Sequence, residues 1–389
     1  MTGLRPTIPA KRYADRLERA RTSLATHGAA ALLVGVGAEL RYLTGYAAMP
    51  LERLTMLVLA ADGPAVLLAP RLEAMAAAGS PAGAAGLVEV VAWDETDDAH
   101  EIAATRLAGL LTKAPADARV LVSDGLWAMH VLALQRAIPG RPFGLATEVM
   151  RELRMRKDAD EVELLRLAAH AADRVMIAIS HGRLIGRTEA EVSREIADRL
   201  VDEGHDLGEF GIVASGPNGA SPHHHATDKV IVAGEPIVFD LGGPLGGYKS
   251  DTTRTVWVGG PDLAIPPDPE FRTIYELVRR ANETATKAVR PGARCGDLDA
   301  IARDVIADGG YGPQFLHRLG HGIGLETHEE PYLVGGNAEA LDTGIAFSIE
   351  PGIYLAGRYG VRIEDIVVCG RTGPDVLNES TRDLQVVTG

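Results

Sequence analysis

Two glycine-rich segments, PIVFDLGGPLGGYKSDTTRTVWV (236–258) and FSIEPGIYLAGRYGVRIEDIVVC (347–369), each set two acidic residues on the arms of what reads as a β-hairpin. Asp240 and Asp251 are equidistant from the point between Leu245 and Gly246, and Glu350 and Glu364 are equidistant from Gly357. Symmetric pairing opposes acid to acid in both hairpins. Directly opposed residues have Cβ atoms about 4.5 to 5.5 Å apart, and like charges there are destabilising, so each pair calls for a compensating cation. The apolar neighbours Ile237, Val238, Phe239, Ile349 and Ile363 argue against solvated faces.

The two hairpins close two similar runs of chain. A long helix from about 158, a second from 188 and the first hairpin are followed by a helix at 268–289, another from 295 and the second hairpin. GHDLGEF (204–210) aligns loosely with GGYGPQF (309–315). If the halves pack face to face, four carboxylates converge, and a pair of divalent metals is the economical solution. His321, between Gly320 and Gly322 in HRLGHGIGLETHEEP (317–331), can approach because the glycines leave room. Four carboxylates and one imidazole suit Mn²⁺, Co²⁺, Fe²⁺ or Zn²⁺ better than thiolate-preferring ions. HRLGH is not the helical HExxH motif, since Arg318 replaces its glutamate and glycines disfavour the helix. The run His223–His225, ahead of the first hairpin, suits a loop reaching over the site with one histidine acting there.

The first 150 residues alternate β-like runs at 30, 54, 65, 87 and 119 with helical segments, an α/β pattern. VGVGAEL (34–40) lacks the third glycine of a dinucleotide loop, and RYLTGY follows where a helix would begin. At 389 residues two domains are expected, 1–150 and 151–389, the second opening with Asp158 as N-cap and Glu161 completing a capping box. A net charge of 39 − 53 = −14 argues against nucleic-acid or anionic-membrane partners. Two cysteines are too few for a disulfide framework and no signal-peptide run opens the sequence, so a cytoplasmic protein is expected.

The order Asp240, Asp251, His321, Glu350, Glu364, in FDLGGPLGGYKSDTTRT, HRLGHGIG, SIEPGIY and GVRIED, resembles the M24 (pita-bread) metallopeptidases, in particular the Xaa-Pro branch of prolidases and aminopeptidases P. RYLTGY also resembles their creatinase-type N-terminal domain. The resemblance implies an α/β creatinase-like domain followed by an α+β pita-bread catalytic domain with an internal pseudo-twofold repeat. It implies two divalent ions, Mn²⁺ foremost with Co²⁺, Zn²⁺ or Fe²⁺ as alternatives. Asp240 and Asp251 would hold one ion and His321 the second, with Asp251, Glu350 and Glu364 shared or completing the set. Glu350 would move the proton, His223, His317 and His328 would be the substrate-side histidines, and the expected assembly is a homodimer.

Hydrolysis of the bond between an N-terminal residue and proline follows from the resemblance, with small peptides carrying proline second as substrates. An X-Pro bond has no N–H and a locked ring, so recognition relies on ring shape and the free N-terminus. Phe210 and His317 are candidate walls for the ring, Arg362 shares a strand face with Glu364 and would orient a carboxylate, and Thr253 would do the same for Asp251. One departure stands out: after HExP the prolidase pattern has an arginine holding the dipeptide carboxylate, and here Tyr332 occupies that place. Dipeptidase and aminopeptidase P activities are therefore both open. Other M24 aminopeptidases without proline preference, creatinase-type amidinohydrolases and a catalytically silent peptide-binding module are the alternatives.

Overall fold

The computed structural model describes residues 6–112, 114–115 and 117–389. The chain divides into two compact units, Thr7–Arg154 and Met155–Gly389. In the first, six strands, β1 (Ala29–Val34), β2 (Met56–Ala60), β3 (Val66–Pro70), β4 (Glu89–Trp93), β5 (Arg119–Val122) and β6 (Phe143–Leu145), form one sheet in the order β4-β3-β2-β1-β5-β6. β1, β2 and β3 are buried along their whole length, which is why they read as continuous apolar runs rather than alternations. β6 has only three residues, too few for a periodic signal. A short helix, Ala38–Thr44, does follow the glycine pair, contrary to the sequence expectation. Leu40 and Leu43 share its buried face and Gly45, at φ 74°, ends it in a left-handed cap.

The second unit opens on the expected capping box. The Asp158 side chain accepts from the backbone of Asp160 and Glu161, and the Glu161 side chain accepts from the Asp158 N–H. The order helix, helix, hairpin then occurs twice. Helices Ala159–Ser180 and Glu189–Asp202 precede β7 (Phe210–Ser215), β8 (Pro236–Gly242), the short β9 (Pro244–Leu245) and β10 (Tyr248–Lys249), and β11 (Thr252–Val258). Helices Pro269–Ala288 and Cys295–Asp308 precede β12 (Gly320–Gly322), β13 (Glu329–Leu333), β14 (Ala346–Ile349), β15 (Gly352–Leu355), β16 (Tyr359–Arg362) and β17 (Asp365–Cys369), with β18 (Pro374–Val376) and β19 (Gln385–Val387) last. The main sheets run β19-β11-β8-β7 and β13-β12-β14-β17-β18. Among the described residues no helix is long and apolar enough to cross a membrane.

The strand period of two decides where the acids point. Ile237, Phe239 and Leu241 pack with Ala172, Val175 and Met176 of the Ala159–Ser180 helix, which turns Asp240 to the opposite face. Phe347, Ile349, Val361 and Ile363 pack with Phe271, Ile274 and Val278 of the Pro269–Ala288 helix, which does the same for Glu350, Arg362 and Glu364. Burying each of these phenylalanines contributes about 1.5 to 3 kcal/mol, so register is tied to core burial.

The first hairpin corrects one expectation. Asp240 pairs with Thr253, and Leu245 with Tyr248, so the turn is at Gly246-Gly247, with φ of 61° and 90°. That shifts the register by two residues from acid-on-acid pairing. Two consecutive positive φ values make a two-residue primed turn, which glycine supplies, and this overrides the symmetry of the acids. Asp251 is instead diagonal to Asp240 and on the same face. The second hairpin has the expected register: Ile349 pairs with Asp365 and Gly352 with Arg362, leaving Glu350 opposite Glu364 about Gly357, φ 73°.

Candidate active site

β12 enters the site between β13 and β14, and its glycines are what allow this. A Cβ on Gly320 would lie 1.9 Å from the Ser348 carbonyl oxygen, and one on Gly322 would lie 2.2 Å from that of Glu330. His321 between them is buried, its N–H bonded to Ser348 Oγ at 3.0 Å. Its Nδ1 lies 3.0 Å from the Gly322 carbonyl oxygen, and its Nε2 faces Glu350 Oε1 at 3.2 Å and Asp251 Oδ2 at 3.6 Å. Behind the second hairpin, buried Asn282 donates to the carbonyls of Ile349 and Ile363, the residues immediately before Glu350 and Glu364.

Asp240, Asp251, His321, Glu350 and Glu364 line one cavity of about 780 Å³ together with Phe210, His223, His317, His328 and Arg362. Arg362 donates through Nη2 to Asp240 Oδ2 at 2.6 Å and through Nη1 to the buried Tyr354 hydroxyl at 2.9 Å, and that hydroxyl lies 2.8 Å from His317 Nε2. The carboxylate that Arg362 bonds is that of Asp240. Thr253 requires a correction: its hydroxyl donates to Glu364 Oε2 at 2.7 Å, with Arg362 Nε donating to it at 3.1 Å, so it serves Glu364 rather than Asp251. The register that puts Thr253 opposite Asp240 is the cause.

Tyr332, like Thr253, lies outside the cavity lining. Its ring instead carries the Arg318 guanidinium, 4.1 Å from the ring centroid, and Arg318 does line the cavity. Sequence reasoning missed Arg318 because it tested that position only against a zincin glutamate. It missed Tyr354 too, although a tyrosine four residues after Glu350 in a β-rich arm is a type of residue whose hydroxyl seeks a partner when buried. All three consecutive histidines line the cavity, and His224 Nε2 also lies 2.9 Å from Glu189 Oε2.

The charges of the cluster do not balance within the protein. Burial, then repulsion from neighbouring acids, pushes the Asp251 and Glu364 carboxyls well above the ordinary range, and burial raises Asp240 despite Arg362. Burial opposes ionisation of Glu350 as well, but the hydrogen bond and charge of His321 hold it at about 2. Asp240 Oδ1 and Glu364 Oε1 are buried without a hydrogen-bond partner. Ligand atoms of Asp251, His321 and Glu364 all lie within 4.8 Å of one another. Orphaned buried carboxylate oxygens beside an imidazole nitrogen fit divalent cations of the Mn²⁺ to Zn²⁺ series. Two imidazoles nearby are held towards the neutral form: burial lowers the His317 pKa, and burial with neighbouring His321 and Arg318 lowers that of His328 to about 4.

The sequence pattern of metallopeptidase family M24 matches residues 163–371, more than half of the chain. The chain belongs to this family. The M24 unit is preceded by a creatinase/prolidase N-terminal domain, matched over residues 16–156. The Mycobacterium tuberculosis protein named "Probable dipeptidase PepE" is 43% identical over 376 residues, 96% of each chain. The Xaa-Pro dipeptidase of Lactobacillus helveticus is 34% identical over 352 residues, 89% of this chain and 92% of that one. The crystal structure of dipeptidase PepE from Mycobacterium ulcerans superposes with a TM-score of 0.89 at 43% identity, covering 98% and 99% of the two chains. The protein is therefore a hydrolase of the metallopeptidase class, built as a creatinase-type domain and an M24 pita-bread domain.

Proposed function

We propose that this M24 peptidase is an Xaa-Pro dipeptidase that works with two divalent ions held by Asp240, Asp251, His321, Glu350 and Glu364. The observation that carries the reading is the convergence of these five side chains at the floor of one cavity, with two carboxylate oxygens left unpartnered. Divalent ions in such a donor set supply a nucleophilic water near neutral pH and polarise the scissile carbonyl. Glu350, ionised at neutral pH, takes the proton of the attacking water and returns it to the leaving proline nitrogen. His328, neutral at that pH, and His223 hydrogen-bond the carbonyl oxygen as charge develops on it. Tyr354 and Arg362 fix His317 and Asp240 on either side of the reacting group. Phe210 and His317 offer flat surfaces to the proline ring, which has no N–H to be recognised by.

Arg318 favours the dipeptide over a longer substrate. Stacked on Tyr332 and exposed to the cavity, its guanidinium supplies the cation that the position after HEEP lacks, and it suits a free carboxylate in bidentate contact. The names of the M. tuberculosis and L. helveticus relatives point the same way. Manganese as the working ion and a homodimeric assembly belong to the same proposal, and metal analysis and sedimentation measure them. The deciding assay compares Gly-Pro with a Gly-Pro-X-X tetrapeptide on the metal-loaded protein. Turnover of the dipeptide alone is expected; turnover of the tetrapeptide alone makes it an aminopeptidase P.

A further inference from the structure

His223 stands on a segment with no regular structure between the short 3-10 turn Gly216–Ala220 and the start of β8 at Pro236. An irregular segment loses little by wandering unless its backbone is tied down, yet a residue that hydrogen-bonds a reacting carbonyl has to be held in place. The tie runs through one carboxylate that does not itself line the cavity. Glu189, the first residue of the Glu189–Asp202 helix, is fully buried. Its Oε1 accepts from the Ser215 N–H and hydroxyl, both at 2.8 Å, and from Asn218 Nδ2 at 3.0 Å. Its Oε2 accepts from the Thr227 N–H at 3.1 Å and hydroxyl at 2.8 Å, and lies 2.9 Å from His224 Nε2.

These donors come from the strand end and turn ahead of His223, from the residue next to it and from Thr227, four positions on. Burial disfavours the charged carboxylate, but the hydrogen bonds outweigh it and hold the carboxyl at about 2, and the helix N-terminus adds to this. Only an ionised carboxylate can accept from all four residues at once; a glutamine would turn an NH₂ towards one of the donors. Lys229 closes the outer side, bonding Ser215 Oγ at 2.8 Å and Glu235 Oε1 at 2.7 Å.

We propose that Glu189, acting through His224, is a positioning residue that sets His223 over the cavity. The inference rests on the peptidase reading of that cavity and assigns the histidine beside His223 the work of a latch rather than a contact with substrate.

The test is a double-mutant cycle. His224→Ala and His224→Gln are made alone and with His223→Ala, and each variant's folding is checked by circular dichroism and thermal melting. His224→Ala should lower kcat/KM for Gly-Pro by about 10- to 100-fold, mostly in kcat, the scale of a displaced catalytic group. His224→Gln, whose amide nitrogen can reach the same oxygen, should recover part of the loss. In the His223→Ala background neither change should lower activity further. An equal loss with and without His223, or no loss at all, overturns the proposal. Amide hydrogen exchange reads the latch without activity: Glu189→Gln and His224→Ala should accelerate exchange within 216–227 and leave the rest unchanged. Unaltered exchange there overturns the latch. Accelerated exchange in a protein that never cleaves Gly-Pro supports the latch and removes the dipeptidase reading instead.

Discussion

Arg362 and Asp240 meet at 2.6 Å, guanidinium Nη2 to carboxylate Oδ2, with both side chains buried. Removing one member of a buried pair leaves an uncompensated charge, which typically costs about 3 to 5 kcal/mol. Arg362→Met should therefore destabilise the chelated protein by roughly that amount in urea unfolding, whereas Arg362→Lys, which keeps the charge but loses the fork, should cost less. Equal stability of all three proteins would mean that Asp240 finds its compensation elsewhere.

On the proposed dipeptidase reading, Arg318 supplies the charge for the substrate carboxylate and Tyr332 supports it. Arg318→Ala should raise KM for Gly-Pro by about 10- to 100-fold, the cost of about 1.5 to 3 kcal/mol expected of a hydrogen bond to a charged group. Tyr332→Phe keeps an aromatic face and should behave as wild type, while Tyr332→Ala should lose about 0.5 to 2 kcal/mol of binding, the range of a cation–π contact. Steady-state kinetics of the three variants on Gly-Pro separate the roles.

Glu189 predicts an acid limb in the stability profile. Its carboxyl sits at about 2 in the folded protein against an ordinary value of 4.5, so its contribution is fully present above 4.5 and is lost as pH falls towards 2. Glu189→Gln does not titrate. The stability gap between wild type and Glu189→Gln should therefore be constant near neutrality and shrink below about pH 4.5, as read by urea midpoints at successive pH values.

Lys157 and Glu329 form a second buried pair, Nζ to Oε1 at 2.6 Å, with Lys157 1% exposed. Lys157→Met should destabilise the protein, whereas Lys157→Met combined with Glu329→Leu should recover part of the loss, because replacing both members avoids burying the carboxylate without its ammonium. Thermal unfolding of the single and double variants is the measurement.

The acid pattern was legible before any coordinates because it lies within hairpins, where the period of two and the turn are local properties. Even there the symmetry of Asp240 and Asp251 misled, since Gly246-Gly247 and not the acids sets the register. The capping box at Asp158 was legible for the same local reason. Arg318 over Tyr332, Thr253 on Glu364 and Glu189 under His224 are contacts between residues 14, 111 and 35 positions apart. No periodicity links such positions, and only the packing of one half of the pita-bread unit on the other brings Thr253 to Glu364. Tyr332 is the instructive case: the sequence showed a missing arginine, and the fold stacks Arg318 on the tyrosine that stands there.

The central claim, that the five-residue cluster exists to hold catalytic divalent ions, is tested most directly by titrating Mn²⁺ into chelated protein by calorimetry while following Gly-Pro hydrolysis. The account predicts two ions bound per chain, turnover restored in step with binding, and loss of both in Asp251→Asn. Full turnover by the metal-free protein, or undiminished Mn²⁺ binding in Asp251→Asn, would contradict it.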